Sequence, residues 1–312
     1  MDTNTISDSS RLALLEEVSR LELCKMIDIL NHAKIQFLII KGSAFAYSHY
    51  TKPWDRPRLD SDLWISPLQI EQASTLLKDS GFTLLPTNHG TLVHTQMIFY
   101  STDRRGHKHY FDLHWGLLNP VFFRSLLSFS EAWNESQFLP QLHPNARTLS
   151  DRHHFLHACC HWVGHHFIDP SPKWEKDIEL LCAGKSSDWW IETQNLLIHK
   201  KVAAIAVAIL NTVSEKHSLK IPVEVLIRLN AISGEVSNYF LQSDRNRWRD
   251  FVFDMKCLPN HQMRLRLLQE HLFPSSDYIY AVAGSKSKFE IFYFYLARIL
   301  KGFKKLSSVS RP

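Results

Sequence analysis

IQFLIIKGSAFAYSHYTKPWDRPRLDSDLWI, residues 35–65, runs from one apolar strand through a glycine turn and a short helix to a second, acidic strand. The opening IQFLII at 35–40 is β-branched and aromatic and stops at Lys41-Gly42-Ser43. The following SAFAYSHY has the Ala/aromatic pattern of a short helix. Pro53 and Pro57 then break the chain before DSDLWI at 60–65, and Ser66-Pro67 opens an amphipathic helix to about Ser80, which Gly81 ends. Strand, tight glycine turn, helix, strand, helix is the order this stretch predicts.

Working outward, residues 10–33 carry Leu14, Leu15, Val18, Leu21, Leu23, Ile27 and Leu30 at helical spacing behind a Ser-rich start. A leading helix packed on the next domain is expected. Downstream, VHTQMIFY at 93–100 and HYFDLHW at 109–115 are strand candidates separated by the polar DRRGHK. Beyond about Ser150 helical periodicity takes over, at 152–166, 174–183, 188–213, 221–231 and 288–305. The fold class expected is therefore α/β (α+β): a mixed sheet with helices, followed by a helical C-terminal domain. Three segments are expected, with an N-terminal helix over 1–34, a catalytic domain over 35–150 and a helical domain over 151–312.

The 312 residues are 45% apolar and 12% aromatic, which excludes an intrinsically disordered chain. The net charge is +5, but residues 286–312 hold seven Lys/Arg against Glu290, so the tail carries +6 and the remainder −1. A nucleic-acid-binding body is not indicated. Cys24, Cys159, Cys160, Cys182 and Cys257 form no C-x-x-C pair, which argues against a disulfide framework or a thiolate zinc site and suits a reducing cytoplasm. The N-terminus has no apolar signal core, and no stretch approaches the ~18 apolar residues that span a bilayer.

Side chains alternate faces along a strand, so Asp60 and Asp62 point the same way, with Ser61 and Leu63 opposite. Two converging carboxylates repel unless a cation lies between them, and hard oxygen ligands suit Mg²⁺ or Mn²⁺. The pair alone is also what a solvated strand face can carry. A third carboxylate, Asp112, stands in the later strand HYFDLHW. Upstream, Gly42 lets the backbone approach a phosphate and Ser43 can offer a hydroxyl and N–H to it. Together these are parts for phosphoryl transfer by two metals.

In this order the motifs resemble the DNA polymerase β-like nucleotidyltransferase superfamily, and within it the bacterial "uncharacterised nucleotidyltransferase" family. That family shows a Lys-Gly turn, an Arg-Pro-x-x-Asp-x-Asp-Leu segment and an Asp-Leu-His-Trp strand. Here they stand as Lys41-Gly42, Arg56-Pro57-Arg58-Leu59-Asp60-Ser61-Asp62-Leu63 and Asp112-Leu113-His114-Trp115. The likeness continues through His157, His161 and His165, Trp174-Glu175-Lys176-Asp177 and Leu272-Phe273-Pro274-Ser275. Two positions depart from the pattern: Ser61, where an apolar residue is usual, and Trp64, where a small aliphatic one is.

The resemblance implies attack of an acceptor hydroxyl on the α-phosphorus of a nucleoside triphosphate, with ATP the expected donor and Mg²⁺ (or Mn²⁺) the cofactor. It implies Asp60, Asp62 and Asp112 as catalytic metal ligands. Lys41, Gly42, Ser43, Arg56 and Arg58 are then expected at the triphosphate, and His114, His161 and His165 at the substrate. For the three cations an ordinary salt bridge is an equally open reading. The acceptor is expected to be a small molecule or a protein. The alternatives are a catalytically inactive nucleotide- or protein-binding member of the fold, or a nucleotidyltransferase acting on RNA; the last lacks a dense basic stripe in the catalytic half.

Two features are set aside. HHFLHACCHWVGHH at 153–166 suggests zinc, but no H-E-x-x-H arrangement or downstream ligand accompanies it, and a cleft-lining polar face is the favoured reading. The closing KFEIFYFYLARILKGFKKL could lie on an anionic membrane, but a packed helix with a solvated basic end accounts for it.

Overall fold

The computed structural model describes residues 8–88, 90–166, 171–217, 219–232, 234–284, 287 and 291–297. All the cations of the basic tail lie outside these residues, as does most of the helix expected at 288–305, of which residues 291–297 are helical.

The first part of the chain is α1 (Asp8–His32), β1 (Phe37–Ile40), α2 (Lys41–Ser48), a 3₁₀ turn (Pro53–Asp55), β2 (Asp60–Ile65), α3 (Ile70–Asp79), β3 (Thr83–Leu84), β4 (Gln96–Thr102) and β5 (Lys108–His114). Short helices α4 (Val121–Arg124) and α5 (Phe129–Asn134) lead to β6 (Gln137–Phe138) and β7 (Arg147–Thr148). The seven strands form one mixed sheet in the order β3-β4-β5-β2-β1-β7-β6. β2 is antiparallel to β1 and parallel to β5, so it is a central strand. This is the mixed α/β class that the sequence predicts.

Strand alternation splits the interior in two. Leu63, Ile65, Phe37, Ile39, Phe111 and Leu113 face α1 and α3, which contribute Leu23, Met26, Ile27, Leu30, Ala73 and Leu77. Leu38, Ile40 and Trp64 face the opposite way, into a core continuous with the helical half. That half comprises α6 (Asp151–His166), α7 (Pro172–Cys182), α8 (Ser187–His199), α9 (Ala203–Lys216), α10 (Val223–Asn230), a 3₁₀ segment (Val236–Leu241), α11 (Arg247–Cys257), α12 (His261–Leu272) and α13 (Ser276–Ala283). The unusual Trp64 has its place here: it is buried and meets Phe129 edge-on, joining the sheet to the helical side. No helix among the described residues is long and apolar enough to cross a membrane.

The single periodicity expected at 188–213 is two helices. Lys201 takes φ 58, Val202 N–H bonds to the Leu197 carbonyl at 3.0 Å, and Lys201 N–H to that of Ile198 at 3.0 Å. Those are the paired bonds that close a helix around a left-handed residue, with buried Val202 packed in the same core as Leu197. The end of α1 repeats the arrangement, with Lys34 at φ 56 and Ile35 N–H on the Leu30 carbonyl.

Candidate active site

The turn after β1 differs from the expected glycine turn. The left-handed residue is Lys41, φ 54, and Gly42 needs no special conformation. A Cβ at Gly42 would make only ordinary contact, 3.5 Å from Arg58 Cβ and 3.6 Å from Arg56 Nη1. Strain on a non-glycine residue costs ~1–2 kcal/mol and marks a position the surroundings enforce. Here it accompanies a strong contact: Lys41 Nζ donates to Asp62 Oδ1 at 2.6 Å and stands 3.2 Å from His114 Nε2.

The parallel register of β2 and β5 sets Asp62 beside Asp112, and Asp60 beside Tyr110 one step along the same face. All three aspartates thus share the face that carries Trp64 and Ile40. Ligand atoms of Asp62, Asp112 and His114 lie within 4.8 Å of one another, and this is the metal-competent group among the described residues. Asp60 is outside it, at the exposed start of β2. His114, expected to meet substrate, is buried, and its Nε2 is 2.8 Å from Asp62 Oδ1.

The electrostatics follow from this crowding. Burial would raise the Asp62 carboxyl, but the Lys41 ammonium and the hydrogen bond from His114 outweigh it and hold Asp62 well below the usual carboxylate range. At Asp112 the charge of Lys41 is the weakest influence. Desolvation, then the charges of Asp62 and Asp60, push it up to about 7. Partial desolvation and Asp62 likewise raise Asp60. Burial and Lys41 lower His114, which keeps the ring neutral. Such a set of carboxyls, one firmly ionised and one held protonated to near neutrality by its neighbours, is eased by added positive charge.

The expected phosphate groups are placed unequally. Ser43 is buried and its hydroxyl donates to Ser61 Oγ at 3.0 Å, so its side chain is engaged and its backbone N–H, in the first turn of α2, is the group left for a ligand. This bond also gives the polar Ser61 a reason to stand where an apolar residue is usual. Arg56 is buried, with Nε and Nη2 each 2.7 Å from the carboxylate oxygens of Asp177 on α7. A bidentate buried pair of this kind orients as well as attracts. Tyr50 OH donates to the same carboxylate at 3.0 Å. Arg58 lies over the Tyr47 ring and pairs with Glu16 of α1, while its buried Nη1 has no partner among the described residues.

On α6, His157, His161 and His165 form a ladder, with ring centroids 5.9 Å and then 5.0 Å apart. His161 also meets Trp174 edge-on at 6.0 Å. His157 and His161 line a cavity of about 40 Å³ with Lys41, Phe45, Arg56, Trp174 and Asp177, room for a few waters between sheet and helices. His157 is buried there and its Nε2 has no hydrogen-bond partner among the described residues. Of the remaining histidines of this helix, His154 faces Thr148 Oγ1 at 2.8 Å, and His153 is buried. Cys159 and Cys160 lie in the apolar core, where burial pushes both thiols up. Lys41 as a partner of Asp62, the Arg56–Asp177 clamp and the role of Glu16 were not foreseeable from spacing, since each joins residues far apart in sequence.

A family profile described as "Uncharacterised nucleotidyltransferase" matches residues 9–215. Among solved structures, one similar chain is the antibiotic-resistance factor ANT(2'')-Ia, 11% identical, with 64% of this chain and 99% of that chain covered and a TM-score of 0.41. No curated protein matches.

Proposed function

The chain belongs to the uncharacterised nucleotidyltransferase family, and from that premise we propose that it transfers a nucleoside monophosphate from a nucleoside triphosphate to a hydroxyl of a small molecule or protein. The observation that carries the reading is the side-by-side placement of Asp62 and Asp112, with Asp60 on the same face of the sheet. The donor set fits a divalent cation: hard oxygens converge, and Asp112 is held up to about 7 by burial and the repulsion of its neighbours, which a cation relieves. Bound Mg²⁺ or Mn²⁺ would supply charge neutralisation at the reacting phosphate.

The residues then divide the work. Asp60, Asp62 and Asp112 would hold the cations. In the transfer, the acceptor oxygen bonds to the α-phosphorus, the bond from that phosphorus to the β-phosphate oxygen breaks, and pyrophosphate leaves. Asp112, ionised once a cation offsets the charges of its neighbours, would receive the proton of the attacking hydroxyl. The N–H groups of Gly42 and Ser43 at the start of α2 bind phosphate oxygens. Lys41 moves between Asp62 and the triphosphate; Arg58, beside Gly42, offers its unpaired Nη1. Arg56 acts through its clamp on Asp177, orienting the Gly42 turn against the helical half. His161 and His165 face the acceptor. ATP is the donor to test first, and the cytoplasm, with five free thiols in the chain, is the compartment proposed.

The segments proposed are the leading helix 1–34, the catalytic sheet 35–150 and the helical domain 151–312, with the acceptor entering between the last two. The test is the Asp60→Ala, Asp62→Ala double variant, assayed for pyrophosphate release with each of the four triphosphates and a cell extract as acceptor source. Loss of release with the fold retained by circular dichroism supports the reading, and undiminished release in the double variant would falsify it. The contrary reading, a binding protein without catalysis, draws on Lys41, whose ammonium sits where a cation would. Its signature is triphosphate binding with no transfer in the unaltered protein.

A further inference from the structure

From the ligand geometry we infer that His114 is itself a metal ligand, so that the site is an Asp62–Asp112–His114 centre selective for Mn²⁺ over Mg²⁺. The inference rests on the nucleotidyltransferase reading of the same site and changes its chemistry from all-oxygen to mixed oxygen and nitrogen.

Distances carry it first. Adjacent ligands of a six-coordinate ion with bonds near 2.1 Å are about 3 Å apart and opposite ones about 4.2 Å. His114 Nε2 is 2.8 Å from Asp62 Oδ1, and the ligand atoms of all three residues fall within 4.8 Å. A positive charge already occupies this ground: the Lys41 ammonium is 2.6 Å from Asp62 Oδ1 and 3.2 Å from His114 Nε2, in reach of both atoms at once. Withdrawal of Lys41 toward a triphosphate would leave that place to an ion; on binding it the ring exchanges the Nε2 proton that now hydrogen-bonds Asp62 for one on Nδ1, and the Nε2 lone pair turns to the ion.

A second observation points to a ligand from the other wall. His157, 2% exposed, lines the same cleft as Lys41, and its buried Nε2 has no hydrogen-bond partner among the described residues. A buried nitrogen of this kind needs a hydrogen-bond partner, and a water on an ion at Asp62 supplies one.

Selectivity follows from the donor atoms and their depth. Mg²⁺ prefers oxygen and gives up its waters reluctantly, whereas imidazole nitrogen suits first-row transition ions. His114 and Asp62 are 4% and 5% exposed, so the ring takes a position that water cannot readily fill.

The test uses the full chain without nucleotide. Free Mn²⁺ is followed by its electron paramagnetic resonance signal during titration, and Mg²⁺ affinity is read by competition. The unaltered protein is expected to prefer Mn²⁺ by at least about tenfold, and His114→Gln to lose about tenfold in Mn²⁺ affinity while Mg²⁺ changes little. Electron spin-echo modulation of the Mn²⁺-loaded unaltered protein should show coupling to a directly bound nitrogen, a readout that depends on no variant. Absence of that coupling, or an equal effect of His114→Gln on both ions, overturns the role of His114. Asp62→Asn separates the two levels of the argument: it should abolish binding of both ions. If it binds them as the unaltered protein does, the carboxylate site and the transferase reading built on it fail together, whereas a failure confined to His114 leaves that loss intact.

Discussion

Asp112→Asn should stabilise the metal-free protein while abolishing transfer, because the substitution removes a charge that the fold holds at a cost. The carboxyl is carried from its ordinary 3.8 to about 7 by burial and by Asp62 and Asp60. At about 1.4 kcal/mol for each tenfold in proton affinity, the penalty on the ionised form is about 4 kcal/mol above pH 7. Asp112 is half-buried, and water screens part of this, leaving about 2 kcal/mol. The sign is fixed by linkage. A carboxyl raised in the fold keeps its proton where the unfolded chain has lost it, so between 3.8 and about 7 the native state binds more protons and stability falls as pH rises. Asparagine is nearly isosteric, can still accept from Gln96 Nε2, which lies 3.3 Å from Asp112 Oδ2, and escapes this loss. By thermal unfolding in chelator, the variant should match the unaltered protein near pH 4 and exceed it by about 3 °C at pH 8, since about 2 kcal/mol is set against an unfolding entropy of about 2.1 cal/mol/K for each of the 312 residues. Added Mn²⁺ should reverse the order, since an ion bound only by the native state stabilises by mass action and the variant has lost a ligand. A variant no more stable than the unaltered protein at pH 8, or a gain equally large at pH 4, would refute the claim that like charges are forced together here.

Three further outcomes follow from single contacts. Asp177→Ala leaves the Arg56 guanidinium buried and unpaired, which should cost about 3–5 kcal/mol in chemical unfolding; a loss below about 1 kcal/mol would contradict a buried clamp. Ser43→Ala removes a hydroxyl already given to Ser61, so it should cost about 1 kcal/mol of stability and leave triphosphate affinity within about twofold. A tenfold weaker nucleotide Kd by calorimetry would show that the hydroxyl leaves Ser61 to grip phosphate. Lys201→Gly relieves a left-handed lysine and should gain about 0.5–1 kcal/mol with transfer unchanged; a loss of stability would mean that the lysine side chain contributes more than its backbone costs.

The sheet was legible in sequence where hydrophobic alternation is strong. DSDLWI is β2 to the residue, and IQFLII and HYFDLHW fall within two residues of β1 and β5. The acidic face was legible for the same reason: a period of two puts Asp60 and Asp62 on one side whatever the sheet order. That Asp112 would stand beside Asp62 depended on a parallel pairing of β2 with β5 that no local signal encodes. Helix ends were read from glycine, and this worked at Gly81, whose φ is 91. The ends at Lys34 and Lys201 carry no such mark: lysine takes the left-handed place, held by the buried Ile35 and Val202 after the turn, as Lys41 takes it at the start of α2. The cations were the least legible part. Arg56, Arg58 and Lys41 looked alike in sequence, yet their partners are Asp177, Glu16 and Asp62, at separations that spacing rules do not reach.

Anomalous diffraction tests most directly whether the face of β2 and β5 is a cation site. Crystals of the full chain with Mn²⁺ and a non-hydrolysable triphosphate, measured at the manganese edge, should show a peak bonded at about 2.2 Å to oxygens of Asp62 and Asp112, with Lys41 Nζ displaced toward the phosphates. A map with no peak there and Lys41 still on Asp62, under triphosphate bound elsewhere, would contradict it.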